Sequence, residues 1–321
     1  MSKKLNLDGM LVGSDAQVYQ FYPSSIKSLN RALGHSEGVR GGTIMQLLAQ
    51  PGHGKTTLAL DYIAQAQRQG IKEVSIQLGK VERTVNSLFV DLERTFDSVY
   101  AGKIGVNLDK VLVYRPDYAE QGLPVIEHLL EKGIQVVVFD SVPALITKDE
   151  FDKEIDDPAR MAGSANLLSR WILRLLGLVD NANALFIFIN QYRANISTMA
   201  RSEKKPYGPY ALRYFSRITL ELAKIRTDED KLYIQVTVAK NKQGGGNQKC
   251  EYVMLNGKGL GPDYDVLSLA LEYDIIQKAG AWYEYKGQKA QGMDNCVLIY
   301  DMKQIALEVD ERIREDLNGR S

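Results

Sequence analysis

Charge of either sign is not in excess in this sequence, because 40 lysines and arginines balance 40 aspartates and glutamates over 321 residues. That excludes a global basic field as the means of holding nucleic acid, so any such surface must be a local patch. Cysteine is scarce as well. Cys250 and Cys296 lie far apart without metal-ligand spacing, so they read as two ordinary thiols of a reducing compartment rather than a zinc site or disulfide framework. No apolar run approaches the roughly 18 residues of a membrane span, and the first segment, MSKKLNLDGMLVGS, lacks the apolar stretch of a signal peptide. The expectation is a soluble, cytoplasmic protein. No internal repeat or low-complexity tract is present, although the glycines at 244–246 mark a loop.

The length suits one large α/β domain with a small appendage. Residues 1–33 read as a short lead-in ahead of a glycine-rich stretch, Gly34 to Gly42. From Thr43 the run TIMQLLAQ reads as a buried strand; a glycine loop and then a helical pattern through Leu58, Ile63 and Ala64 follow. Further apolar runs of strand length stand at Ser87–Val90, Val111–Tyr114, Val136–Phe139 and Ala184–Ile189, with helical patterns between most of them. Such alternation predicts an α/β core, 34–260, whose central sheet is largely parallel and covered on both faces. After Tyr214 the pattern changes. ITLELAKI and KLYIQVTVAK alternate with period two about a charged turn, Arg226 to Asp230, which predicts an antiparallel hairpin and makes the sheet mixed. Residues 261–321 read as a small C-terminal α/β subdomain with a helical pattern, an aromatic strand pair around Lys286-Gly287 and a closing charged helix.

The octet Ala49-Gln50-Pro51-Gly52-His53-Gly54-Lys55-Thr56 fits a P-loop except that alanine replaces the first glycine. Backbone N–H groups of a tight glycine loop at a helix N-terminus surround phosphate oxygens. Lys55 neutralises charge on the outer phosphates and the Thr56 hydroxyl binds magnesium. The first position mainly needs a small residue, so alanine serves. A P-loop enzyme also needs a carboxylate at the end of a neighbouring strand to hold the magnesium shell, and Asp140 closes Val136-Val137-Val138-Phe139. ATP and Mg2+ are the cofactors expected.

With these motifs placed, the chain from about Phe21 resembles the bacterial and phage RecA recombinases. The stretch Phe89 to Tyr100 is similar to the family segment in which a glutamate activates the attacking water and a tyrosine stacks on adenine; the resemblance assigns those roles to Glu93 and Tyr100, with Thr57 and Asp97 in the nucleotide-binding set. Phe188 to Arg193 resembles the element that opens the second DNA-binding loop, which implies that Gln191 senses the γ-phosphate. The loop that follows, 194–210, carries Arg201, Lys204 and Lys205, suited to a phosphodiester. Arg193 and Arg213 join that set, and Arg160 and Met161 fall in the counterpart of the first DNA loop. Ala239-Lys240-Asn241-Lys242 resembles the lysine pair that reaches a neighbouring subunit's ATP, as an arginine finger does. Lys278-Ala279-Gly280-Ala281-Trp282-Tyr283 closely resembles a family signature.

The resemblance implies an ATPase that polymerises as a helical filament on single-stranded DNA and pairs it with homologous duplex, with no membrane partner. The short stretch before Tyr19 and the absence of a long acidic tail suggest a phage-like member, and residues 71–86 look inserted relative to the family. Other readings share the P-loop and Asp140: a ring motor, an accessory paralogue, or a regulatory DNA-binding subunit whose nucleotide is structural. The 278–283 signature argues against the motor and paralogue, and Glu93 against a structural nucleotide.

Overall fold

A computed structural model describes residues 19–153, 163–192, 205–244 and 248–319. The lead-in forms β1 (Phe21–Tyr22) and α1 (Lys27–Ala32), and the glycine-rich stretch after it forms β2 (Val39–Arg40), which pairs antiparallel with β1. The core then runs β3 (Thr43–Leu48), α2 (Lys55–Arg68), β4 (Val74–Leu78), β5 (Val81–Val85), β6 (Ser87–Asp91), α3 (Ser98–Ile104), β7 (Val111–Tyr114) and α4 (Ala119–Lys132). It continues with β8 (Val136–Asp140), α5 (Lys148–Phe151), α6 (Gly163–Asn181), β9 (Leu185–Asn190), α7 (Tyr210–Phe215), β10 (Ile218–Asp228), β11 (Lys231–Asn241), β12 (Lys249–Leu255) and β13 (Gly259–Leu260).

The main sheet has the order β13-β12-β11-β10-β3-β9-β8-β6-β7, parallel from β10 to β7 and antiparallel beyond β10. Continuous apolar strands are expected where both faces are covered, and alternate residues here do enter two different cores. Met45, Leu47, Ile187 and Val138 pack with α2 on one face, whereas Ile44, Phe186, Phe188, Val137 and Phe139 pack with α4 and α6 on the other. Because the central strands run parallel, β3, β6, β8 and β9 end at one rim with Leu48, Asp91, Asp140 and Asn190, the edge where α/β sheets hold ligands.

One sequence expectation is corrected. The hairpin strands extend through Arg226 to Asp228 and restart at Lys231, so the turn is only Glu229 and Asp230, with Glu229 at φ 45°. Arg226 prolongs a strand because its guanidinium lies 3.7 Å from the Tyr233 ring centroid on the paired strand. The inserted stretch is a separate two-stranded hairpin, β4–β5, anchored by buried Val74 and Val85 and otherwise mostly exposed.

The C-terminal part contains α8 (Pro262–Glu272), a three-stranded sheet of β14 (Gln277–Ala279), β15 (Trp282–Tyr285) and β16 (Gln288–Gln291), then α9 (Met293–Ile299) and α10 (Met302–Asn318). It has its own core around Leu267, Ile276, Tyr283, Ile305 and Val309. Buried Asp265 ties it to α1 by accepting from the Ser28 hydroxyl and, at 3.1 Å, the Ser28 amide.

Candidate nucleotide site

The P-loop leaves the end of β3 and enters α2 as the sequence predicts. Gly52 and Gly54 sit at φ 75° and 80°, a backbone region that disfavours a side chain, and Gly54 is the N-cap of α2. Ala49 is fully buried, while Gln50, Pro51 and Gly52 are exposed at the loop's crest; His53 lies behind it, Nδ1 3.4 Å from the Leu222 carbonyl. Lys55 folds back so that Nζ donates to the carbonyls of Ala49 at 3.2 Å and Gln50 at 3.0 Å. Burial pulls its pKa below the ordinary lysine range, opposed by the charges of Asp140 and Glu93. Among the described residues this desolvated ammonium is hydrogen-bonded to carbonyls, and a phosphate would give it an anionic partner.

Thr56 donates from Oγ1 to Asp140 Oδ2 at 2.9 Å, although β9 separates their strands in the sheet. Burial lifts Asp140 to about 6; the Thr56 hydrogen bond and Lys55 oppose the rise, and Glu93 and Asp91 add to it. A hydroxyl and a carboxylate side by side are hard oxygen donors of the kind Mg2+ takes when phosphates and water complete its shell, so this pair fits the ion. Thr57 shares a 2.9 Å hydroxyl contact with Tyr100, which places that ring beside the start of α2. Asp97 is the N-cap of α3, its Oδ1 accepting from the amides of Val99 and Tyr100 at 2.8 and 3.0 Å; it orients Tyr100 through the backbone.

Glu93 is exposed beyond the end of β6 and accepts a hydrogen bond from the Ser141 hydroxyl. Sequence reasoning missed Asp91 beside it. Its carboxylate is fully buried, opposite Asp140 in the β6–β8 register, and accepts from the amides of Thr95 at 2.8 Å and Phe96 at 3.2 Å and from Arg115 Nε at 2.8 Å. The signal that marks Asp140, a carboxylate closing an apolar run, was present at Asp91 too.

Asn190, also missed, is buried where β9 ends. Its carbonyl accepts from the Ala49 amide at 3.5 Å, its Oδ1 accepts the Gln191 N–H at 2.8 Å, and its Nδ2 donates to the Tyr207 carbonyl at 2.8 Å. The Gln191 carbonyl accepts from the Tyr207 amide at 2.8 Å, and Tyr192 bridges to Pro206. The P-loop and both roots of the intervening segment are thereby joined.

Lys240 and Lys242 are not brought to this site, because β10 stands between β11 and β3. Lys240 Nζ donates to the carbonyls of Arg213 and Tyr214 at the end of α7, each at 2.7 Å, and Lys242 lies 5.3 Å from the Tyr214 ring centroid. Arg213 and Lys205 are exposed. Arg160, Met161, Arg193, Arg201 and Lys204 lie outside the described residues. Among the described residues no helix is long and apolar enough to cross a membrane.

Residues 9–261 match the RecA N-terminal domain and residues 264–318 the RecA C-terminal domain. The chain belongs to the RecA family. Protein RecA of Caldanaerobacter subterraneus subsp. tengcongensis is 33% identical over 318 residues, covering 96% of this chain and 88% of the relative. Protein RecA of Syntrophus aciditrophicus is 34% identical over 302 residues, covering 92% and 83%. As a RecA-family recombinase the chain is a DNA-dependent ATPase that uses ATP with Mg2+, forms helical filaments on single-stranded DNA and exchanges strands with homologous duplex.

Proposed function

We propose that ATP bridges two protomers of the filament, with Lys55, Thr56, Asp140 and Glu93 in one and Lys240 and Lys242 arriving from the next. The observation that carries this reading is the split itself: a phosphate loop with its strand-end carboxylates on one side of the chain, and two lysines at the far side of β10 that cannot reach them. Mg2+, when bound, neutralises charge on the outer phosphates and is held by Thr56 and Asp140. The Gly52–Lys55 amides cradle the phosphates, and Lys55 exchanges its carbonyl contacts for phosphate oxygens. Tyr100 offers its ring to the adenine. Glu93 orients the attacking water and accepts its proton. Lys240 and Lys242 stabilise negative charge on the γ-phosphate, so that turnover depends on assembly.

Gln191 presents a neutral amide to the γ-phosphate and is backed by Asn190, so its position is transmitted to the 194–210 loop, whose Arg201, Lys204 and Lys205 take the DNA backbone together with Arg193. Arg160, Met161 and Arg213 complete the DNA-facing set. On this reading the protein acts in the cytoplasm of a bacterial cell or of a phage-infected host. Electron microscopy with single-stranded DNA and a slowly hydrolysed ATP analogue tests the arrangement. Wild-type protein and Glu93→Gln should both form helical filaments and Lys55→Ala none; filaments from Lys55→Ala without nucleotide would reject it.

A further inference from the structure

Glu93 lies in a tight loop that leaves β6, and the residues on either side of it are tied to the chain just beyond β7. Two residues before it, Asp91 receives Arg115 Nε at 2.8 Å; one residue after it, Arg94 reaches Asp117 Oδ1 at 2.6 Å. The two bridges have opposite polarity, so the 115–117 segment supplies a cation to one flank of the loop and an anion to the other. They are not equal in weight. Arg94 and Asp117 are both about half exposed, and such pairs contribute little. Asp91, by contrast, is fully buried, and Arg115 is its ion-pair partner among the described residues. The same carboxylate fixes the loop's return by accepting from Thr95 and Phe96, while the Leu92 amide donates to the Asp140 carbonyl at 2.8 Å. Removing the cation leaves a buried carboxylate without its ion pair, and such a group relaxes toward water. That movement releases the Thr95 and Phe96 amides that aim Glu93.

We propose that Arg115 is a positioning residue for hydrolysis, which holds Glu93 in register with the γ-phosphate through Asp91 without itself touching nucleotide. The inference rests on Glu93 being the base. A small displacement of a general base costs turnover far more than ground-state binding, because only the near-attack geometry is lost.

The test compares single-stranded-DNA-dependent ATP hydrolysis and binding of a fluorescent ATP analogue in wild type, Arg115→Gln, Arg115→Lys, Glu93→Gln and the Arg115→Gln, Glu93→Gln double variant. Arg115→Gln should lower kcat about tenfold or more with nucleotide affinity unchanged, and Arg115→Lys should recover part of it. In the Glu93→Gln background, Arg115→Gln should add nothing further, since both act on one proton transfer. An undiminished kcat in Arg115→Gln, weakened nucleotide binding, or the same fold-loss in both backgrounds overturns the clamp while leaving Glu93 as base. Normal turnover in Glu93→Gln alone rejects the base and the clamp together.

Discussion

The buried side chain of Asn190 donates from Nδ2 to the carbonyl of Tyr207 at 2.8 Å, joining the last residue of β9 to a residue 17 positions further along the chain. Since Asn190 also accepts from Gln191 and Ala49, one residue is bonded to the phosphate loop, to Gln191 and to Tyr207. A contiguous hydrogen-bonded path of this kind is one route by which two sites bias each other.

Replacing Asn190 with leucine, similar in size and without polar atoms, should remove both side-chain bonds while filling the space. The carbonyl of Tyr207 and the amide of Gln191 lose their partner, at a cost of about 1–3 kcal/mol in unfolding free energy. Nucleotide affinity should be unchanged, because the Asn190 side chain bonds Tyr207 and Gln191, whereas its link to the P-loop runs through its backbone carbonyl. Stimulation of hydrolysis by single-stranded DNA should fall by about fivefold or more, the lower end of ordinary coupling energies. Titration of ATPase rate against oligonucleotide decides it; full stimulation would show that the link is structural only.

What was legible in the sequence follows from range. The parallel strands were readable because burial on both faces makes each an uninterrupted apolar run, as in VVVF at 136–139, and the P-loop because its glycines, lysine and threonine are contiguous. The hairpin β4–β5 was not, since its strands are largely exposed and VERTV shows no alternation to detect. Arg115 and Asn190 escaped for another reason. Arg115 acquires meaning only when β7 lies beside β6, and Asn190 only when Tyr207 returns to it, so their roles reside in pairing across the fold rather than in local pattern. The Arg226–Asp230 turn was misjudged because charge was taken as a turn signal, whereas the Arg226–Tyr233 contact keeps the strand going.

Under the proposed function the Thr56–Asp140 pair sets the magnesium requirement. Asp140→Asn and Thr56→Ala should each raise the Mg2+ concentration for half-maximal hydrolysis by about tenfold or more, the scale on which losing a polar group around a metal is felt. The double variant should lose less than the sum of the two free-energy changes, because both remove support for one ion. Mg2+ titrations of the four proteins at saturating ATP measure this, and strict additivity would mean the two residues act separately.

Asp265 gives a pH dependence whose sign is fixed by its burial. Burial lifts its pKa to about 6, against the hydrogen bonds from Ser28, so between its ordinary value and 6 the folded chain binds more protons than the unfolded one. Stability therefore falls as pH rises through that window, by about 3 kcal/mol for a rise of roughly two units. Asp265→Asn, which stays neutral, lacks this contribution. In urea unfolding, the loss of stability caused by Asp265→Asn should be larger at pH 5 than at pH 8. A difference that grows with pH would mean that the carboxylate is stabilised in its ionised form.

Lys240 supplies the sharpest test of action between subunits. Within its own protomer it is tied to the carbonyls of Arg213 and Tyr214, and β10 separates its strand from the P-loop strand. Lys240→Ala should therefore bind a fluorescent ATP analogue normally as a protomer but hydrolyse ATP poorly on single-stranded DNA. Glu93→Gln should also be slow, for the complementary reason. In filaments mixed in equal parts, an interface that takes its P-loop from a Lys240→Ala subunit and its lysines from a Glu93→Gln subunit contains every working group. Random neighbours place that combination at about one interface in four, so the mixture should recover about a quarter of wild-type turnover. If Lys240 acted within its own chain, no interface in the mixture could be complete and activity would stay at the level of the two variants alone.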